Sequence, residues 1–169
     1  GAINGTLSVM VGGDKAVFER SRQITQAVGK QITYCGESGM GQVTKLANQI
    51  VGLGTLAAVC EGLVFAAKAG GDPDAVMSAF SGGAANSWMV ENMVPRIFEG
   101  DFAPGYKVDL AQKDLRLVLE TAAEMNVPLL AASLVNQVYR SAQQAGSGSE
   151  GVQAYVKVLE RLAGVEARS

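Results

Sequence analysis

A chain of 169 residues that is 48% hydrophobic and 18% charged has the balance of a folded globule, not of a disordered segment. Its 14 basic and 16 acidic residues give a net charge of −2 with no basic block, which excludes an electrostatic footprint for nucleic acid. Histidine is absent. A Ser-His-Asp triad, a Cys-His pair and a histidine zinc site are therefore excluded, and acid–base work falls to lysine or a carboxylate. The two cysteines, Cys35 and Cys60, form no CxxC pair. That usage suits a reducing, cytoplasmic compartment and offers neither a disulfide framework nor a thiolate metal site. Residues 1–13 lack the charged n-region of a signal peptide.

In chain order, Thr6 to Val11 is β-branched and apolar and predicts a buried strand. Asp14 is a natural N-cap for a helix over Lys15 to Val28, with Val17, Phe18, Ile24 and Val28 at helical spacing. Gly29 ends it, and Lys30 to Cys35 predicts a second short strand. A lone strand–helix–strand unit cannot make a sheet that stands by itself. The chain thus looks cut, with the missing strands supplied by another subunit or by sequence upstream.

At Gly36 the period changes. The glycine-punctuated turn Gly36, Gly39, Gly41 opens a long run without proline, in which Leu46, Ile50, Leu53, Ala57, Cys60 and Val64 recur every three or four residues. This predicts one helix from about Gly41 to Ala69, stopped by Gly70-Gly71 with Pro73 beyond. Its other faces are apolar too, so burial nearly all round is expected. Ile50 to Ala67 holds a single charge, Glu61, which raises a membrane span. A buried core helix explains the same letters, and no membrane is expected. Lys45, Asn48 and Gln49 lie on one face of the first turns. Spacing leaves two readings: polar residues snorkelling to solvent, or a sunken lysine whose pKa falls by burial and by the helix dipole, which suits proton transfer.

The rest is helical. A short helix over Asp74 to Phe80 ends at Ser81-Gly82-Gly83, and Asn86 to Phe98 follows, with Pro95 as a kink or boundary. Gly100 to Gly105 is a turn, Val108 to Met125 a strongly periodic helix, and Pro128 opens another through Ala145. Gly146 to Ser149 is a flexible turn, and Gly151 to Ala163 the last helix. Lys113-Asp114 is a polar knot inside the periodic helix, and by spacing alone an ordinary surface charge pair.

The series GESGMGQVTKLANQ, an apolar helix, then DFAPGYKVDLAQKDL resembles the β-hydroxyacid dehydrogenase family, and GTLSVMVGGDKAVFER resembles the end of its nucleotide-binding domain. The likeness runs nearly end to end. It implies a mainly α fold: residues 1–36 as a strand–helix–strand remnant of a Rossmann domain, and 37–169 as an all-helical substrate and dimerisation domain. It implies Lys45 as the catalytic lysine, Asn48 and Gln49 as substrate-orienting carboxamides, and Gly39 and Gly41 as backbone close to the substrate. Tyr106 would line the cleft, and Lys113 and Asp114 would lie by the cofactor. Residues 149–154 depart from the Asp-x-Ser pattern that the family carries there, and no GxGxxG fingerprint is present, so NAD or NADP would be held mostly upstream.

The implied activity is reduction of small 2-hydroxy-3-oxo acids such as tartronate semialdehyde, with KLANQ and the short approach to DFAPGY pointing to that branch. Hydride would come from nicotinamide and the proton from Lys45. Oxidation of 3-hydroxyisobutyrate, or another semialdehyde reduction, is the alternative within the family. A helical dimerisation or binding module is the alternative outside enzymology. The apolar faces predict a homo-oligomer, a dimer or tetramer.

Overall fold

The computed structural model describes residues 3–168. The chain divides into two compact units, Gly1–Asn48 and Gln49–Ser169, with the division inside a helix.

In the first unit, strands β1 (Leu7–Gly12) and β2 (Gly29–Gly36) pair in parallel, with Val9 opposite Ile32 and Met10 opposite Thr33. Parallel neighbours need a crossover, and α1 (Lys15–Thr25) supplies it. Asp14 caps α1 as expected, its carboxylate accepting from Val17 N at 2.9 Å. Helix α2 (Met40–Lys68) starts at the C-terminal end of β2. Gly12 and Gly41 let backbones touch there. A Cβ on Gly41 would sit 2.8 Å from Met10 O and 2.9 Å from Gly12 N, closer than any side chain tolerates. Phe18 is the only fully buried hydrophobic residue among those described in this unit.

The second unit holds the rest of α2 and α3 (Pro73–Gly82), α4 (Trp88–Phe98), α5 (Val108–Glu124) and α6 (Leu130–Gln144). A 3₁₀ turn (Val152–Ala154) then leads into α7 (Tyr155–Ala163). One core gathers Leu56, Cys60 and Leu63 of α2, Val90, Val94 and Ile97 of α4, Leu115 of α5 and Tyr139 of α6. It also takes in Tyr155 of α7, whose ring meets Tyr139 edge-on at 5.0 Å. Asp72 caps α3 and Ser87 caps α4, each accepting from the amide three residues on. The helix over residues 40–68 is unbroken, as its pattern predicts.

Two expectations are corrected. Helix α2 is not covered all round: Leu56 and Cys60 are inside, whereas Val51 and Phe65 are 68% and 77% exposed. An all-apolar composition does not reveal which side a single layer of helices covers. By length and composition α2 could cross a membrane, as the core helices of folded domains also can. Pro95 does not end or break α4. It costs one bond, the N–H to Glu91 O that proline cannot make, and the helix runs on to Phe98.

Candidate active site

Helix α5 starts just after the turn at 99–107 and presents Ala111, Leu115 and Val118 to the core. Asp114 adjoins Leu115 at the edge of that buried face, and its side chain is only 14% exposed. Lys113, one position round, keeps half of its side chain in solvent and pairs with Asp114 Oδ1 at 2.5 Å. The other carboxylate oxygen, Oδ2, accepts from the Tyr106 hydroxyl at 2.5 Å and from Gln49 Nε2 at 2.7 Å. Gln49 Nε2 also donates to Tyr106 Oη at 2.7 Å, and Gln49 is buried. The four side chains come from α2, the 99–107 turn and α5, and close into one knot.

The electrostatics fix which protons the knot can move. Burial by itself would raise the Asp114 carboxyl, but hydrogen bonds from Lys113, Tyr106 and Gln49 outweigh it and hold the group below the usual carboxylate range. Burial, and then the bond to Asp114 and its negative charge, push the Tyr106 phenol above its ordinary value, with the Gln49 bond opposing. Near neutral pH Asp114 is an anion and Tyr106 keeps its proton.

Four of the expected site residues, Gln49, Tyr106, Lys113 and Asp114, are thus brought together in the second unit. Lys45 and Asn48 lie in the first unit, and both are exposed. Of the two readings of Lys45, this chain shows the exposed one: with Phe18 as the one fully buried hydrophobic side chain among the described residues of its unit, there is no apolar medium in which to sink an ammonium. Gly41 packs on Met10 and Gly12, whereas a Cβ on Gly39 would meet nothing and its φ of 91° suits glycine. Sequence reasoning missed the link from Tyr106 to Asp114 and the residues that hold the 99–107 turn: Arg96, Asp101, Gln153 and Lys157. Only the place of Asp114 at the rim of an apolar face signalled an inward role. Among the described residues no group of His, Cys, Asp or Glu could hold a metal ion.

Known proteins match along the whole chain. Residues 1–36 match the family model described as the NAD binding domain of 6-phosphogluconate dehydrogenase. Residues 39–159 match the one described as NAD-binding of NADP-dependent 3-hydroxyisobutyrate dehydrogenase. The 2-hydroxy-3-oxopropionate reductase of Escherichia coli is 41% identical over 96% of this chain and 56% of its own length. The 2-(hydroxymethyl)glutarate dehydrogenase of Eubacterium barkeri is 35% identical over 98% and 55%. Among solved structures, 3-hydroxyisobutyrate dehydrogenase from Salmonella typhimurium superposes with a TM-score of 0.85 at 34% identity, over 93% of this chain and 55% of that one. Two dinucleotide-enzyme segments in series, a parallel strand pair and then a helical unit, define a dehydrogenase-type architecture. The chain belongs to the β-hydroxyacid dehydrogenase family. It spans about half the length of the curated relatives it matches.

Proposed function

We propose that the chain is the C-terminal part of an NAD(P)-dependent reductase of small 2-hydroxy-3-oxo acids, with tartronate semialdehyde as the first candidate substrate. The observation that carries this is the knot of Gln49, Tyr106, Asp114 and Lys113, placed in the segment similar to 3-hydroxyisobutyrate dehydrogenase. The 41% identity to 2-hydroxy-3-oxopropionate reductase supports the substrate class.

The residues suit a nicotinamide cofactor. Lys113 keeps half its side chain in solvent, so it can meet the cofactor while Asp114, which also takes Tyr106 and Gln49, steadies it. When bound, the nicotinamide supplies the hydride. Lys45 gives a proton to the carbonyl oxygen as it becomes an alkoxide, and recovers one in the reverse direction. Asn48 orients the substrate hydroxyl, and Gln49 holds Tyr106. Gly39 and Gly41 bring the chain near the substrate.

Two free cysteines, Cys35 and Cys60, fit a cytoplasmic setting. Phe65 and Leu162, exposed at 77% and 80%, fit burial by a second copy, which sedimentation of the intact protein checks. The deciding experiment offers the intact protein tartronate semialdehyde, succinic semialdehyde and 3-hydroxyisobutyrate with each nicotinamide cofactor. Preference for the first supports the reading, preference for the last moves the substrate within the family, and no turnover of any overturns it.

A further inference from the structure

Two stretches far apart in sequence lie along each other in the second unit. Along residues 101–109, Gly151 N donates to Phe102 O and Val152 N to Tyr106 O, both at 2.9 Å. Val108 N and Asp109 N donate back to Glu150 O and Gly148 O. Those are backbone bonds that many sequences could make. Two side chains add to them. Lys157, held by Glu150 at 2.7 Å, stands 4.0 Å over the Phe102 ring. Gln153, 1% exposed, sends Nε2 to Asp101 O at 2.9 Å and more weakly toward Ala103 O at 3.5 Å.

The Gln153 amide has space because residue 151 is glycine. Gly151 has φ −67°, which any residue adopts, so its backbone does not call for glycine. What calls for it is volume: a Cβ there would fall 2.8 Å from both Cδ and Nε2 of Gln153. A buried side chain with fixed partners cannot step aside without giving them up. Gly151 and Gln153 are thus a matched pair, in which the amide of one occupies the place a side chain of the other would take. The Asp101 carboxylate meanwhile takes Arg96 Nε and Ala103 N, each at 2.9 Å, so the turn is gripped from α4 as well. Three residues beyond Ala103 stands the knot's Tyr106.

We propose that Gln153, with Gly151 as its permissive partner, is a positioning residue of the site. It locks residues 101–103 so that the Tyr106 hydroxyl stays on Asp114 and Gln49. The kinetic half of this inference rests on the reductase reading; the structural half does not. An amide at 153 reaches a carbonyl that a short side chain could not, and a shift of about 1 Å in a positioning group can cost up to about a hundredfold in rate.

The test uses the intact protein with four variants: Q153A, Q153M, G151A and G151A/Q153A. Met keeps the volume and loses the donor, so Q153M separates the hydrogen bond from packing, and it stands in if Q153A does not fold. Hydrogen exchange should show Gly151 and Val152 amides several-fold less protected in Q153M and G151A, with Leu115 in α5 unchanged. KM for the oxo acid should rise about tenfold with kcat within about threefold, the mark of lost ground-state placement. The double variant should be no worse than either single one, because both remove the same bond. Unchanged protection in Q153M, additive effects of G151A and Q153A, or loosened amides with unaltered KM would each overturn the proposal. If the wild type reduces no oxo acid, the reductase reading falls by itself, and exchange alone then decides the clamp.

Discussion

The two units build their order by opposite means. The second encloses its own core: Leu56, Val90, Val94, Ile97 and Tyr139 are wholly inside, and its polar knot closes against that core. The first pairs two strands across one helix and fully buries only Phe18 among its described hydrophobic residues. A unit this small has little apolar surface of its own to bury. Side chains in the second unit are therefore placed by packing. Those in the first, Lys45 and Asn48 among them, are largely exposed.

The proposed proton donor lies on the sparse side of that contrast, and it carries the largest expected effect. Lys45→Ala in the intact enzyme should lower kcat by about 10²–10⁴, with cofactor affinity little changed. Lys45→Arg should fail as well, because guanidinium keeps its proton. Steady-state kinetics of both variants check this. Near-normal turnover in Lys45→Ala would take the acid role from Lys45 and shift attention to Lys113.

Packing sets the next effect. Leu56, with no exposure, should cost about 2–5 kcal/mol as Leu56→Ala, from lost burial and the cavity left behind. Val9 is only half-buried on β1, and in this chain Val9→Ala should cost under about 1 kcal/mol. Urea unfolding of the pair measures the gap. Equal costs in the intact protein would mean that further strands cover β1 there and that the contrast belongs to the chain taken alone.

Much of the second unit was legible from spacing. The unbroken helix over 40–68 and the periodic α5 follow from runs of apolar residues three and four apart, which are local. The Asp14 cap was legible for the same reason. The knot was legible only in part. Resemblance marked Gln49, Tyr106 and Asp114 singly, but their bonds join positions 57 and 65 apart, and no local period encodes such a meeting. The Gly151–Gln153 pair was invisible as a clamp, because a glycine at ordinary φ and a buried glutamine show their purpose only once the amide is seen filling the space. The exposed face of α2 was misread because Val51 and Phe65 are as apolar as Leu56.

Asp114→Asn sharpens the contrast within the knot, with an expected loss of about 1–3 kcal/mol, since Lys113, Tyr106 and Gln49 all bond a charged acceptor. The sign of its pH dependence follows from the lowered carboxyl. Such a group adds stability above its unfolded value of about 3.9 and loses it as the pH falls through the still lower folded value. The difference between wild type and Asp114→Asn should therefore persist at pH 7 and shrink below about pH 4. Urea midpoints across that range measure it, and a difference that stays constant into acid would mean the charge of Asp114 contributes nothing.

A smaller effect than that of Asp114→Asn is expected of Tyr106→Phe. The ring keeps its packing and only the hydroxyl goes, so one donor to Asp114 and one acceptor for Gln49 Nε2 are lost. Gln49 and Asp114 keep their direct bond, so neither is stranded, and about 1 kcal/mol of stability should go. The pH dependence runs opposite to that of Asp114. A phenol raised in the folded protein adds stability that is complete below its unfolded value of about 10 and fades as the pH climbs toward the folded one. Wild type and variant should thus differ most near neutral pH and converge in strong alkali. Tyr139 and Tyr155 are also raised, but they remain in the variant, so comparing the two proteins isolates Tyr106. Ultraviolet titration should show one late-ionising tyrosine fewer in Tyr106→Phe. Equal counts would mean that Tyr106 titrates as it does in water and that its hydroxyl is not held by Asp114.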